Sequence, residues 1–409
     1  MTKTQSDHSI HKFGQKLHHP AALPAFSQLV AGLRHYRTTG SVEQLSSVPL
    51  VSINLDLTTA CDHACGHCVD DEVINQRHKF ELEDIYGTID SLVERGLSSV
   101  ILIGGGEPTL HPRFVDIVKH IKAKGLMLGL VTHGGHLERM KPVAQLFESR
   151  DWIRFSIDAG KNETYQDIHF HQSGKKARNS LEEILNNGRA LREINPNLQL
   201  GFSYVVVPPG QSYHGRALLD NIEEIPLAAQ LAVQHGFTYL SLKPCLIKGE
   251  TEGETLMPGA SADEVISVTE RIRARISEAR AAQPMLRIVE SQNLVAMLGQ
   301  ALEKLREQPK ICYAGFLRQV VTPSGIFHCP AWRGDFRAKV GENSAYATVD
   351  TSRLTAQDSA LTLTSFNAAS TCEQIACFYN SMNRNIEGVV ESDVEHNLLP
   401  ASGALDTFL

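Results

Sequence analysis

Strand-like apolar runs alternate with helical patterns along the first 250 residues, and this alternation constrains the fold more than any other feature of the chain. The apolar runs are short and lie at residues 51–57, 100–103, 127–132, 152–157, 198–207 and 237–242. Helical patterns between them include Leu82–Arg95, Arg113–Lys124 and Ser180–Glu193. Strands that alternate with helices in this way predict βα units that share one parallel sheet. The predicted fold class is therefore α/β.

Changes in pattern divide the chain into five segments. They are an N-terminal extension (1–47), the strand–helix core (48–250), a helical linker (251–310), a small C-terminal domain (311–385) and a polar tail (386–409). The extension contains one amphipathic helical pattern near Ala25–Tyr36. In the small domain, Leu317–Thr322 and Gly325–His328 flank a Pro-Ser-Gly turn, which predicts a β-hairpin.

Composition excludes several classes of protein. The chain has 409 residues, 42% of them hydrophobic, and a net charge of −7, so it is globular and lacks a basic surface for DNA or RNA. The polar N-terminus lacks the apolar segment of a signal peptide. No apolar run reaches the roughly 18 residues that a membrane helix needs. We therefore expect a cytoplasmic protein without a nucleic-acid or membrane partner.

Three cysteines lie in one short loop that follows the first predicted strand. Cys61, Cys65 and Cys68 have the spacing C-x3-C-x2-C. Thiolates favour zinc, copper(I) and iron–sulfur clusters. Three thiolates can hold three irons of a [4Fe–4S] cluster, which leaves the fourth iron open to another ligand. A zinc ion completed by His63 or His67 is the alternative for this loop.

Two further strand ends carry residues suited to a small polar ligand. The second strand ends in Gly104-Gly105-Gly106-Glu107-Pro108, where glycines permit close approach of the backbone to a ligand. The sequence lacks the Lys-Ser/Thr pair that would make this segment a phosphate-binding loop. Ser156 and Asp158 alternate onto one face at the end of the fourth strand. Asp before Ala-Gly is also a common turn sequence, so a purely local role is the alternative.

Taken in order, these motifs resemble those of the radical S-adenosylmethionine (SAM) superfamily over about residues 48–250. The resemblance implies a partial (β/α)6 barrel of the TIM type and a [4Fe–4S] cluster whose open iron binds SAM. In that family the glycine motif binds the SAM ammonium, the strand-end serine and aspartate contact the ribose, and the residue before the third cysteine lies against adenine. The residues implied to bind the cofactor are Gly105, Gly106, Glu107, Pro108, Ser156, Asp158, His67 and Thr132.

Four further cysteines form a second set near the C-terminus. Cys312 and Cys329 bracket the predicted hairpin, and Cys372 and Cys377 come from a separate segment. Four thiols are the number that closes a cubane cluster. The set resembles the twitch domain, the short form of the SPASM domain, which implies one auxiliary [4Fe–4S] cluster. Structural zinc held by four cysteines is the alternative.

Three residues are candidates for catalysis at the mouth of the barrel. Lys243 and Cys245 lie at the end of the sixth predicted strand, and Tyr204 lies in the fifth. Lys243 would bind the SAM carboxylate or the substrate. Cys245 would deliver a hydrogen atom or hold substrate, although a small buried residue is the plainer interpretation. Tyr204 is a candidate by position alone.

The resemblance also implies the function. The enzyme would cleave SAM reductively to a 5′-deoxyadenosyl radical and abstract a substrate hydrogen, with flavodoxin or ferredoxin as electron donor. The short N-terminal extension favours a small polar metabolite over a peptide. An auxiliary electron acceptor favours net oxidation, with rearrangement as another outcome. Modification of a ribosomally made peptide and a zinc-stabilised binding protein without catalysis are the alternatives.

Overall fold

The structure is a computed structural model that describes residues 12–170, 178–213, 216–248, 253–392 and 406–409. The main strands are β1 Ser52–Leu55, β2 Ser99–Leu102, β3 Met127–Thr132, β4 Trp152–Ser156, β5 Gln199–Val206, β6 Tyr239–Pro244, β7 Arg287–Glu290, β8 Arg318–Thr322, β9 Gly325–Phe327 and β10 Lys339–Gly341. The main helices are α1 Leu23–Thr39, α2 Leu82–Glu94, α3 Phe114–Ala123, α4 Asn162–Ile168, α5 Leu181–Ile194, α6 Ile225–Gln234, α7 Ala262–Ala282, α8 Gln292–Leu298, α9 Val349–Ser365 and α10 Asn380–Glu391. Shorter helical turns lie at Phe13–Lys16, Glu43–Ser46, Leu137–Met140, Ala314–Leu317 and Ala368–Thr371.

One sheet of ten strands organises the fold, in the order β7-β6-β5-β4-β3-β2-β1-β8-β9-β10. Neighbouring strands run parallel from β7 through to β8. The antiparallel strands β9 and β10 extend the sheet beyond β8, and the β8–β9 pair is the predicted hairpin. The predicted α/β class with a parallel core is confirmed, and the sheet is consistent with a partial barrel of the TIM type.

The parallel strands bury one face completely and leave the other partly accessible. Ile53, Phe155 and Phe202 have no accessible surface and belong to the main hydrophobic core under the helices. Residues in the alternate phase, such as Val131 and Arg154, face the opposite side and keep part of their surface accessible. We call the space on this side the lumen. The C-terminal ends of the strands form its upper edge, where folds of this kind carry their active sites.

One strand of this sheet and one pairing between strands have no recognisable sequence signal. β7 lies inside the segment 251–310, which the sequence predicts to be mainly helical, and its four residues are too few to show a period. β8 pairs in parallel with β1, with Ser52 opposite Arg318. This pairing joins distant parts of the chain, so no local pattern reveals it. The hairpin therefore continues the barrel sheet instead of standing apart from it.

The two ends of the chain pack against the barrel and against each other. α1 and α10 share one apolar cluster, to which Leu29 and Ile386 belong. α10 crosses into the segment predicted as a polar tail, and residues 393–405 of that segment lie outside the described residues. Near the start of β2, Ser99 Oγ donates to Thr407 O at 2.9 Å. Among the described residues, no helix combines the length and the apolar character needed to cross a membrane.

Candidate active site and auxiliary metal centre

The segment that holds the first three cysteines, residues 61–68, is tied to the opposite side of the barrel mouth. We call it the cluster loop. Ala64 N donates to Phe170 O at 2.6 Å, and Gly66 N donates to Ile168 O at 3.1 Å. These bonds join the loop after β1 to the end of α4, which follows β4. The three thiols are thereby held at the upper edge of the lumen.

The surrounding protein desolvates each thiol of the cluster loop. Burial raises the pKa of Cys61 to about 12 and that of Cys68 to about 11, and it raises the pKa of Cys65 well above the ordinary range. The other two thiols add to the rise at Cys65. Such thiols stay protonated at neutral pH unless a bound metal displaces the proton. Three soft donors gathered in one partly buried loop fit an iron–sulfur cluster.

Distances between donor atoms distinguish a site for a single metal ion from a site for an iron–sulfur cluster. Two groups have three donor atoms within 4.8 Å of one another, His63 with Cys65 and His169, and Asp62 with His63 and His133. Within the described residues, neither group includes Cys61 or Cys68. Zn–S bonds of about 2.3 Å in a tetrahedral site require sulfur atoms about 3.8 Å apart. The three thiols are therefore spread more widely than one zinc ion requires, although His63 is close enough to Cys65 for a mixed site.

The glycine-rich segment after β2 lies directly against the cluster loop. Gly105 has φ of 73°, a left-handed conformation that favours glycine. A Cβ atom on Gly106 would lie 2.5 Å from Ala60 O, and Glu107 N donates to the same carbonyl at 2.8 Å. Only glycine fits at this approach of the two segments. The predicted SAM motif and the predicted cluster ligands therefore share one surface.

Glu107 is buried, and hydrogen bonds hold both oxygens of its carboxylate. Oε1 accepts from the hydroxyls of Thr109 and Thr132, each at 2.6 Å, and Oε2 accepts from His133 N at 3.0 Å. Pro108 begins the short turn that the Glu107 side chain caps. Thr132 therefore contacts Glu107 itself and orients it. A carboxylate fixed in this way can bind an ammonium group without reorganising.

Asp158 and His67, both predicted to contact the nucleoside, contact each other. Asp158 has φ of 58°, and its Oδ1 accepts from Val205 N at 2.7 Å. Its Oδ2 lies 3.3 Å from His67 Nε2 and 3.4 Å from His169 Nε2. Burial by itself would raise the pKa of Asp158, but hydrogen bonds from the two imidazoles outweigh burial and hold this pKa below its ordinary value. Ser156 faces the lumen and is partly accessible there.

Two basic side chains extend into the lumen. Burial and, to a smaller extent, repulsion from Arg154 lower the pKa of Lys243 to about 7, and Asp158 opposes this only in part. Arg154 comes from β4, and its Nε is buried with no hydrogen-bond partner among the described residues. Lys243 lies where the sequence predicts a binding residue. Arg154 is a pocket residue that the sequence patterns did not single out.

The two other pocket candidates have different surroundings. Tyr204 lies on the helix-facing side of β5, fully buried, and its hydroxyl donates to Asn221 O at 2.5 Å. Successive residues of a strand point to opposite faces, so this ring cannot turn towards a ligand in the lumen. Cys245 packs with Val207 and Leu218 in a small apolar cluster, and burial raises its pKa to about 12. These are the surroundings of a small buried residue.

The second set of cysteines lines one cavity. Cys312, Cys329, Cys372 and Cys377 all contribute to its wall. β8 and β9 bring the first two together, because the hairpin reverses the chain between them. Trp332 Nε1 donates to Cys372 Sγ at 3.4 Å. Four thiols from three segments therefore converge at one place, as the sequence predicts.

Basic side chains complete the wall of this cavity. Arg318 is 5% exposed, and its Nε and Nη1 have no hydrogen-bond partner among the described residues. Burial lowers the pKa of His328 to about 4, and neither of its ring nitrogens has a described partner. An unpaired buried guanidinium is costly unless an anion neutralises it. Metal-bound thiolates would supply that negative charge, so the donors and the orphaned arginine both fit an anionic thiolate-ligated centre.

One arginine, close in sequence to the second set of cysteines, contacts residues beside the cluster loop. Arg333 follows Cys329 closely in sequence, and its Nε lies 2.8 Å from Asp56 Oδ2 just beyond β1. The same guanidinium pairs with Asp70, whose Oδ2 accepts from Gly105 N at 3.3 Å. The side chains of Arg333 and Asp56 are 7% and 0% exposed. A single buried cation therefore holds the small domain against the barrel mouth.

Several histidines meet beside the cluster loop, and the sequence patterns did not predict this. His63 stacks on His133 with ring centroids 4.1 Å apart, and both nitrogens of His63 are buried without a described partner. Asp62 lies 2.9 Å from His133 Nε2 and 3.2 Å from His136 Nε2. These residues come from two segments that only the fold brings together.

For Arg154 a signal existed, because a charged residue in the inward phase of a buried strand is unusual.

Comparison with known proteins matches residues 55–222 to the radical SAM superfamily. The tungsten-containing aldehyde ferredoxin oxidoreductase cofactor-modifying protein of Pyrococcus furiosus is 32% identical over 107 residues, which cover 25% of this chain and 30% of that protein. The S-adenosylmethionine-dependent nucleotide dehydratase of Selenomonas ruminantium is 26% identical over 161 residues, which cover 38% of this chain and 56% of that protein. This chain thus spans less than two thirds of either relative.

The fold is also similar to that of a solved structure. SuiB of Streptococcus suis, bound to S-adenosylmethionine, has a TM-score of 0.51 and 13% identity, over 73% of this chain and 61% of that chain. The same protein has been solved with its precursor peptide SuiA. At this level of identity the similarity shows the fold alone.

Proposed function

We propose that this chain, whose residues 55–222 belong to the radical SAM superfamily, is an enzyme that abstracts hydrogen from a small polar metabolite. One observation carries the proposal: three partly buried thiols lie at the surface that also holds the glycine segment and the fixed carboxylate of Glu107. The cofactors of this superfamily are a [4Fe–4S] cluster and SAM. When bound, they supply reductive cleavage of the sulfonium and removal of a hydrogen atom from the substrate.

The residues around this surface would bind and orient SAM. Glu107 would accept the ammonium group, because Thr132 and His133 N already fix its two oxygens. Asp158 and His67 would contact the nucleoside from the opposite strand end, and Ser156 reaches the same space from the lumen. The barrel would exclude bulk water from the reacting carbon.

An auxiliary iron–sulfur cluster in the second cavity is part of the proposal. Four cysteines line that cavity, yet no three of their sulfur atoms belong to a described group of donors within 4.8 Å of one another. A zinc ion would need all four sulfurs about 3.8 Å apart. The wider spacing and the orphaned Arg318 support a cluster, which would accept an electron from the substrate and make the net reaction an oxidation.

Peptide modification is the second candidate, and it has one observation in its favour. The fold is similar to that of SuiB, which has been solved bound to a precursor peptide. Against this, helix α1 of the N-terminal extension packs against α10 in an apolar cluster. The apolar face of α1 is therefore not available to bind a peptide. We therefore favour a small metabolite.

The test compares reconstituted wild-type protein with a variant that replaces Cys61, Cys65 and Cys68 by alanine. We expect the variant to lose the iron of one cluster and to form no 5′-deoxyadenosine when reduced with SAM. Cys245→Ser serves as the matched control, because Cys245 lies outside both metal sites and its loss should leave the iron content unchanged. Cleavage of SAM by the triple variant, or zinc in place of iron in wild type, would overturn the proposal.

A further inference from the structure

Arg154 and Lys243 both extend basic side chains into the lumen. They come from β4 and β6, the strands on either side of β5. Between them, Gly201 lies opposite both Arg154 and Tyr239, and a Cβ atom on Gly201 would lie 2.2 Å from the Tyr239 ring. The ring of Trp152 lies 5.1 Å from the Arg154 guanidinium carbon. Arg154 thus lies beside the Trp152 ring, and the Tyr239 ring covers Gly201 of β5 at the same level. Lys243 lies further along the sheet, opposite Val205.

No described carboxylate is left to neutralise these two cations. The acidic residues around the lumen have other partners: Asp56 pairs with Arg333, Glu107 with Thr132 and His133, and Asp158 with His67 and His169. Neither Arg154 nor Lys243 forms an ion pair with any described residue, although Arg154 Nε is buried and both side chains are partly shielded from solvent. Desolvated cations without a counter-charge are costly to a fold.

Neutral polar atoms around these cations are also without partners. Asn54 Oδ1 and Ser241 Oγ are buried and form no hydrogen bond with any described residue. Both belong to the inward phase of their strands, as does Arg154. A lumen that holds two unpaired cations and unpaired hydroxyl and amide groups is built for a polar ligand with negative charge.

We propose that Arg154 and Lys243 bind an oxyanion substituent of the substrate, either a phosphoryl or a carboxylate group. This inference rests on the proposed function and names its substrate class, a small anionic metabolite. Arg154 lies below Ser156 on β4, deeper than the strand ends where SAM would bind. The guanidinium supplies paired donors that match an oxyanion, and the ammonium of Lys243 adds a second positive charge above it.

The test measures binding of simple anions to the reconstituted full chain by anaerobic calorimetry at constant ionic strength. Sulfate represents a phosphoryl group and acetate represents a carboxylate. We expect saturable binding to wild type, weakened about 10- to 100-fold in Arg154→Gln and in Lys243→Gln, since each removes one charged hydrogen bond. Preference for sulfate or for acetate then identifies the substituent. Lys119→Gln on the exposed face of α3 is the control and should bind as wild type does.

Two further measurements distinguish loss of the anion site from loss of folding and from loss of SAM binding. Arg154→Lys and Lys243→Arg retain the charge and should retain most of the anion binding, which a general loss of folding would not allow. SAM affinity of Arg154→Gln should equal that of wild type. A parallel loss of SAM affinity would mean that the anion is the SAM carboxylate, and the inference would then be wrong. A protein that cleaves SAM but binds neither anion also refutes it, while leaving the proposed function intact.

Discussion

Replacing Arg333 with methionine should destabilise the protein strongly, because it leaves Asp56 buried without its counter-charge. The Asp56 side chain is fully buried and that of Arg333 is 7% exposed. Removing one partner of a buried ion pair costs about 3–5 kcal/mol. For 409 residues the entropy of unfolding is about 0.9 kcal/mol/K near the midpoint, so the melting temperature should fall by about 4–6 °C if the chain unfolds in one step.

The pH dependence of this loss has a definite sign. Burial raises the pKa of Asp56 and the Arg333 guanidinium opposes that rise, so the carboxyl of the variant titrates at higher pH in the folded protein than in the unfolded chain. The folded variant then binds more protons than the unfolded chain, and its stability falls as pH rises. Because Arg333 holds the wild-type pKa of Asp56 below that of the variant, we expect the deficit relative to wild type to grow as pH rises.

Thermal unfolding of four proteins measures this prediction: wild type, Arg333→Met, Asp56→Asn and the double variant. The double variant should recover part of the loss, since the uncompensated charge is gone. A melting temperature of Arg333→Met within 1 °C of wild type, or a double variant that recovers nothing, would refute the prediction. SAM binding should weaken in Arg333→Met as well, because Asp70 would lose the contact that holds it against Gly105 N.

Three other predictions follow from the site. Lys243→Met should stabilise the protein by about 1–3 kcal/mol at pH 6 and by little at pH 10. The pKa of Lys243 in the folded protein is about 7, below its ordinary value of 10.5, so wild type regains stability as pH rises between these two values. Thermal melts at both pH values measure this, and equal melting temperatures of variant and wild type at pH 6 would contradict it. Glu107→Gln should weaken SAM binding about 10- to 100-fold in calorimetry while leaving the iron content unchanged, because a charged hydrogen bond is lost; unaltered affinity would exclude Glu107 as the ammonium ligand. Cys372→Ala with Cys377→Ala should remove about half of the iron and retain the spectroscopic signal of SAM bound to the first cluster; undiminished iron would rule out an auxiliary cluster in the second cavity.

The order of strands and helices in the barrel is readable from the sequence because each element has a local signal. Met127–Thr132 is a mostly apolar run, and the predicted strand and the observed strand coincide. The four C-terminal cysteines are likewise visible as a set, since thiols are rare and the hairpin between two of them has a recognisable turn. Signals of this kind depend only on residues close together in the sequence, so they can be recognised without the fold.

The contacts that complete the site are not readable in this way, because they join segments far apart in the chain. Nothing near Arg333 indicates that its partners are Asp56 and Asp70. For Tyr204 the sequence predicts the strand correctly but not the face on which the side chain lies. Neighbouring residues of a strand point to opposite faces, so an error of one position exchanges the lumen for the helices. Which residues of β5 face the lumen becomes clear only from the strands that pair with it.

The pairing of β1 with β8 has a consequence for how the protein is made. Ser52 and Arg318 are opposite one another in the sheet, so β1 lacks one of its two neighbours until residues near position 318 have been synthesised. At about 5–20 residues per second, the ribosome needs roughly 13 to 50 seconds to cover that interval. Throughout that time one hydrogen-bonding edge of the first strand is open to other chains. Growth conditions that slow collisions between nascent chains, such as low temperature and weak induction, should therefore raise the yield of soluble protein.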